Sequence, residues 1–333
     1  MMGPFRNSTL LILIALVGCQ QSKPSDVSKT EIASTTKDLF PERIYKEEAG
    51  KGALLLTHFK SLEDFRAVVK VQYAEDMPVE AGRKQRAPVV RLTYQSAGQE
   101  VTSVLESGIS QKDFLEARSG SLWNRIRLGM KCPFAFFHRN QLKAVENLGR
   151  RRPPIFGKGD AAFYDFAETM VKHIREEDRQ GISVSDLSEK GYLNTFNHIT
   201  AQTFMTSVFS EDIADFIADM HELYNMPELA TGHFTEKQLA DFENGPVDNY
   251  VDMINNEWGQ ELGKVLREKY SIDQRTTWTP ELLADYLNDI QSYCSWAFQV
   301  GFIPFKATDE IVVKFAWKIN TVLEGGSKTE VRM

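Results

Sequence analysis

Three short groups of residues carry side chains suited to chemistry: Asn197-His198, His221-Glu222, and the run from Asp252 through Asn255-Asn256 to Gly259. Two histidines, a glutamate and an aspartate are the residue types that bind a divalent metal such as zinc. A metal on His198, His221, Glu222 and Asp252 could lower the pKa of a bound water to about 7 and create a hydroxide nucleophile. The same residues could work without metal, as a histidine–carboxylate pair for general acid–base chemistry. Asn255 and Asn256 would then orient a substrate or stabilise developing negative charge. The alternative is structural: polar side chains that bridge helices by hydrogen bonds. Other signatures are incomplete. His221-Glu222 lacks the second histidine of the zinc-protease helix. Gly157-Lys158-Gly159-Asp160 lacks the leading glycine and the Lys-Ser/Thr of a phosphate loop. No Gly-x-Ser-x-Gly elbow occurs.

Helices must position these groups. Pro246 opens one that reaches to about Tyr270. At about 100° per residue, Val247, Val251, Ile254, Trp258, Leu262 and Val265 form one apolar stripe facing the core. Asp248, Asp252, Asn255, Asn256, Gly259 and Gly263 form a second line beside it. Each helical glycine costs about 1 kcal/mol relative to alanine, so another backbone or a ligand should approach there closely. Ser210 caps a helix over Glu211–Asn225, with acids in its first turn to suit the dipole. Its apolar face holds Ile213, Phe216, Ile217, Met220 and Tyr224, with His221 at the edge and Asp212, Asp215 and Asp219 toward solvent. His198 sits in a third helix, from Tyr192 to Phe209.

The spacing resembles an uncharacterised bacterial helical domain found in secreted and polymorphic-toxin-like proteins. That pattern is Arg-His in one helix, His-Glu in the next, then Asp-x-x-Asn-Asn-x-x-Gly. His198, His221-Glu222 and Asp252, Asn255, Asn256 and Gly259 match it, and the resemblance covers Gly191 to Arg267. Asn197 stands where the pattern has arginine. The resemblance implies a shared site and no particular reaction.

The fold class expected is α+β. Val68–Tyr73, Val89–Tyr94 and Glu100–Leu105 are β-branched and partly alternating, which predicts three antiparallel strands; Gly52–Phe59 suits a strand or a short helix. Ser110 could cap a helix from Gln111. Pro153-Pro154 breaks regular structure, and a boundary is expected there between an α+β part (residues 38–152) and a mostly helical part (153–325), with a disordered tail over 326–333. In the helical part, Ala161–Glu177 has helical spacing, Thr279-Pro280 starts another helix, and Thr308 or Asp309 begins the last, although Ile311–Trp317 could also be a strand.

The N-terminus speaks to location. Arg6, the apolar stretch Leu10–Val17 and small residues before Cys19 read as a signal peptide over residues 1–18, too short to span a bilayer. Leu16-Val17-Gly18-Cys19 resembles the lipobox of bacterial lipoproteins. That resemblance implies a diacylglyceryl thioether on Cys19, which becomes the mature, further acylated N-terminus. It also implies membrane attachment through that lipid, and Gln20 after it fits sorting to the outer membrane by the enterobacterial pattern. Residues 19–37, rich in Ser, Thr and Lys, read as a flexible tether. Two cysteines remain, Cys132 and Cys294, either as a disulfide or as two buried thiols.

Hydrophobic content of 42% among 333 residues can bury a substantial core. A net charge of −7 argues against a nucleic-acid partner. Arg125, Arg127, Lys131 and Arg150-Arg151-Arg152 make a locally basic stretch: either a solvated surface or a contact for phospholipid headgroups or another anionic envelope component. Two functions are consistent with these residues. One is an envelope hydrolase using the His/Glu/Asp group with or without a metal. The other is a non-enzymatic lipoprotein that binds an envelope protein or component.

Overall fold

The computed structural model describes residues 52–77, 88–96, 99–106 and 129–330. The signal peptide, the lipobox with Cys19, the tether and the helix expected after Ser110 lie outside the described residues.

The three predicted strands form an antiparallel meander in the order β1 (Val69–Tyr73), β2 (Pro88–Ser96), β3 (Gln99–Glu106). Val69 pairs with Tyr94, and Leu92 pairs with Ser103. Along β2, alternate residues Val90, Leu92 and Tyr94 are buried, so one face of the sheet is apolar. The segment before β1 is mostly irregular, with a 3₁₀ turn at Leu56–His58 and a short helix α1 (Leu62–Arg66).

Beyond Pro133 the described chain is mainly helical, and the protein is α+β. Its longer helices are α2 (Arg139–Leu148), α3 (Phe163–His173), α4 (Tyr192–Val208), α5 (Glu211–Asn225), α6 (Pro246–Tyr270), α7 (Pro280–Phe298) and α8 (Glu310–Glu330). Their starts follow the local chemistry. Ser210 Oγ accepts from Ile213 N, and Thr279 Oγ1 accepts from Leu282 N ahead of Pro280. Ile311–Trp317, ambiguous by pattern, lies within α8, and the backbone of residues 326–330, expected as part of a disordered tail, is helical; residues 331–333 lie outside the described residues. Pro153-Pro154 does break the chain, since a short helix begins there. Yet one continuous hydrophobic core joins the sheet side chains Val90 and Leu92 to helix residues such as Phe166 and Ile254. Cys132 and Cys294 are free, buried thiols.

Helices α4 and α6 occupy the centre. Every residue of α4 from Thr195 to Val208 is buried. The two helices run parallel, because polar pairs between them recur at a constant spacing. Asn194 Nδ2 donates to Asp252 Oδ1 (2.7 Å), His198 Nδ1 donates to Asn256 Oδ1 (2.8 Å), and Gln260 Nε2 donates to Gln202 Oε1 (3.3 Å). Each pair lies one helical turn beyond the last.

The close approach expected at the two glycines is that of another backbone. A Cβ on Gly259 would stand 2.8 Å from Ile199 O and from Gln202 Cβ; one on Gly263 would stand 2.7 Å from Thr206 Cβ. The hydroxyls of Thr203 and Ser207 each share one hydrogen between the carbonyl a turn back in α4, Ile199 O (2.6 Å) and Thr203 O (2.7 Å), and the carbonyl across the contact, Gly259 O and Gly263 O (each 3.0 Å). Gly259→Ala should therefore destabilise the fold. The roughly 1 kcal/mol of helix propensity gained is outweighed by about 1–3 kcal/mol of overpacking against a backbone that cannot yield. Denaturant unfolding should show a lower midpoint; an unchanged or higher midpoint would contradict this packing.

Candidate metal centre

The parallel register of α4 and α6 sets His198 beside Asp252, with Nε2 of the ring 3.2 Å from Asp252 Oδ2. An amide oxygen only accepts, so the bond to Asn256 Oδ1 fixes a proton on His198 Nδ1 and leaves Nε2 facing Asp252. Asn194 Nδ2 holds the other Asp252 oxygen. Helix α5 adds Glu222. Donor atoms of His198, Glu222 and Asp252 all lie within 4.8 Å of one another, and all three residues are buried.

Electrostatics follow from this enclosure. Burial works against a charged His198 ring, but the Asp252 carboxylate outweighs it and raises the ring to about 9. Burial, then the Asp252 charge, pushes Glu222 well above the usual carboxylate range. Glu222 is 1% exposed, and neither of its oxygens has a hydrogen-bond partner among the described residues. A buried carboxylate of this kind is costly unless a proton or a cation joins it. Asp248, one turn before Asp252 and half-buried, is raised to about 8, chiefly by burial and next by Asp252.

Three of the four ligands expected from sequence thus converge, and His221 does not join them. Its Nε2 is 3.1 Å from Asn225 Nδ2 and accepts from it, so the proton sits on Nδ1, which is buried without a partner among the described residues. Burial and the neighbouring His198 charge lower His221 to about 4, so its ring is neutral at pH 7. With one nitrogen protonated and the other accepting, this ring offers no lone pair to a metal. Asn255 is committed elsewhere. Its Oδ1 accepts from Leu54 N (2.8 Å) and its Nδ2 donates to Leu54 O (3.0 Å), so it clamps the N-terminal segment to α6. Thr195 Oγ1 donates to the same carbonyl (2.9 Å). Asn256 takes the orienting role, acting on His198. Asp219, expected toward solvent, is 7% exposed and accepts from Glu106 N (3.3 Å), which ties the end of β3 to α5. Asn194 is the site residue that the sequence motifs did not single out. Its signal was the four-residue step to His198, matched by the step from Asp252 to Asn256.

A second acidic group, Glu211, Glu257 and Glu261, is half-exposed. Lys264 Nζ bridges Glu211 (2.9 Å) and Glu261 (2.5 Å), so that group has a cation of its own. Compared with family models, curated proteins and solved structures, the chain matches none.

The titration has a defined sign. His198 in the folded chain stands at about 9, above its ordinary 6.5, so its contribution to stability is complete below pH 6.5 and is lost as pH rises toward 9. The raised Glu222 acts in the same direction from its ordinary 4.5 upward. Chelator-treated protein should therefore lose stability between pH 6.5 and 9, by up to about 1.4 kcal/mol per pH unit for each proton involved. Asp252→Asn should flatten that slope. Denaturant melts across this range check it, and a stability that rises with pH would contradict the charged His198–Asp252 pair.

Proposed function

We propose that the protein is a lipid-anchored hydrolase of the cell envelope, whose water-activating centre is a divalent metal such as zinc held by His198, Asp252 and Glu222. The observation that carries this reading is the buried Glu222 carboxylate, without a hydrogen-bond partner among the described residues, beside an imidazole and a second carboxylate. Two carboxylates and a neutral imidazole balance a 2+ ion. Two ligands about 2.0–2.2 Å from one tetrahedral ion lie about 3.3 Å apart, and His198 Nε2 and Asp252 Oδ2 are separated by 3.2 Å. Asn256 on His198 and Asn194 on Asp252 are the outer partners that fix ligand orientation in metal sites.

Three protein ligands leave a fourth position for water, the arrangement of catalytic zinc sites. An ion held by His198, Asp252 and Glu222 would supply Lewis acidity and a water of lowered pKa for hydrolysis. Half-exposed Asn194 and Asp248 border the ligands and mark the approach from solvent. A second reading draws on burial: exposures of 6% for His198, 1% for Glu222 and 7% for Asp252 also suit an ion that only ties α4, α5 and α6 together.

Metal analysis after dialysis against zinc should find one equivalent bound. Glu222→Gln should lose it, and Asn256→Ala should weaken binding by about 10–100-fold. Asn255→Ala should instead lower stability, by about 1–3 kcal/mol for each buried group left unpaired, and retain the metal. Hydrolysis of p-nitrophenyl esters or bis(p-nitrophenyl) phosphate should disappear with the metal. Metal binding without hydrolysis of either probe favours the structural ion, and no metal uptake removes both readings.

The anchor rests on Leu16-Val17-Gly18-Cys19 behind a short apolar run. Two or more acyl chains hold a protein stably at a bilayer. Metabolic labelling with a fatty-acid probe should mark the protein and vanish in Cys19→Ala.

A further inference from the structure

The stretch Arg150–Lys158 contains four cations and no acid in a chain of net charge −7. At its centre, Pro153-Pro154-Ile155-Phe156 forms a short helical turn, closed by Gly157 at φ +88°. The apolar side chains of this region face outward: Ile155 is 61% exposed, Trp317 on α8 is 53% exposed, and Val313, one turn before it, is 44% exposed. They form one patch, since the half-buried Phe156 ring meets Trp317 edge-on at 6.1 Å. We propose that this turn and the neighbouring face of α8 dock on an anionic phospholipid bilayer.

The patch is held rigidly from beneath. Lys318, 1% exposed, donates to Arg150 O (2.7 Å) and Ala161 O (2.6 Å), pairs with Asp160 (2.9 Å), and lies 4.9 Å from the Phe156 ring centre. Both ends of the loop are thereby pinned to α8, and two prolines stiffen its tip. Docking then orders little that is not already ordered. Charge selects the occupant. Arg150, Arg151 and Arg152 are all paired at the base of the loop, Arg150 and Arg152 with Glu146 and Arg151 with Asp165, which leaves Lys158 as the cation the tip presents. Lys158, at the exposed tip, makes no ion pair among the described residues, and Lys314 Nζ donates to its carbonyl (3.1 Å) while pairing with Glu310. An exposed indole beside aliphatic side chains and lysines is the composition that settles at the headgroup level of a membrane. A largely acidic protein is repelled by an anionic surface elsewhere, which gives this patch an orienting role.

The inference rests neither on the metal centre nor on acylation, and its test separates all three. Full chain carrying Cys19→Ala should sediment with vesicles of phosphatidylcholine and phosphatidylglycerol, and several-fold less with phosphatidylcholine alone or at high salt. Ile155→Asp should lower the partition coefficient at least tenfold, and Lys158→Glu should lower it several-fold, with metal content unchanged. Brominated acyl chains should quench tryptophan emission, and Trp317→Phe should remove that quenching. Equal binding of the parent chain and Ile155→Asp would overturn the proposal, as would equal binding to neutral and anionic vesicles. Capture of a soluble protein through Ile155, with no vesicle binding, would assign the patch to a protein partner instead.

Discussion

The contact on which the rest depends is the backbone-to-backbone approach of α4 and α6. It requires residues without a Cβ at Gly259 and Gly263, and it is fastened by the Thr203 and Ser207 hydroxyls on the glycine carbonyls. Such bonds lock register as well as distance, because a slip of one residue would push side chains into Ile199 O and Thr203 O. With register fixed there, the polar pairs at the N-terminal halves of the two helices follow by the helical repeat. Gln202 meets Gln260, His198 meets Asn256 and Asn194 meets Asp252. The glycines are thus positioning residues for a centre whose ligands they never touch.

Parallel helices need a return path, and α5 is that path. From Val208 back to His198 is ten residues, about 15 Å of helix. From Glu211 forward to Glu222 is eleven, about 17 Å. A tight turn at Phe209-Ser210, capped by Ser210 on Ile213 N, therefore brings Glu222 back to the level of His198. Asp219, one turn earlier, meets the end of β3 through Glu106 N, so the sheet braces α5 from outside. On the other side, Asn255 and Thr195 hold Leu54. Each clamp residue adjoins a site residue, Asn256 or Asn194, which makes the N-terminal segment part of the scaffold of the centre.

Much of this was legible in the sequence because local chemistry and tertiary packing agree. Ser210, Pro246 and Thr279-Pro280 mark helix starts that the structure keeps, and alternation gave the three strands. The glycine pair pointed to a close approach, and the polar line on α6 pointed to partners. What escaped was the division of labour along that line. Asn255 and Asn256 are adjacent and chemically identical, yet one faces a backbone segment two hundred residues earlier and the other an imidazole. Only the approach of distant segments separates those roles. His221 stands apart from the His198–Glu222–Asp252 group for a related reason. Its place at the edge of an apolar face was right, but Asn225, one turn on, takes the nitrogen that a metal would need. Asp219 looked solvent-facing because its helix alone gives no sign of β3.

The buried polar residues of α4, α5 and α6 sort by how their needs are met. Thr203, Ser207 and Asn255 are answered by backbone groups, and burying them therefore costs little. Glu222 differs, since neither oxygen has a hydrogen-bond partner among the described residues. A buried acid in that position is relieved by a proton or by a cation. Protonated His198 supplies one unit of positive charge beside Asp252, while burial, and next the Asp252 charge, raises Glu222 well above the usual carboxylate range. A divalent ion supplies two, releases both protons and lets all three side chains bind in their unprotonated forms. A divalent ion and the pair of protons are thus alternative ways to neutralise the same two carboxylates, and uptake of one should release the other.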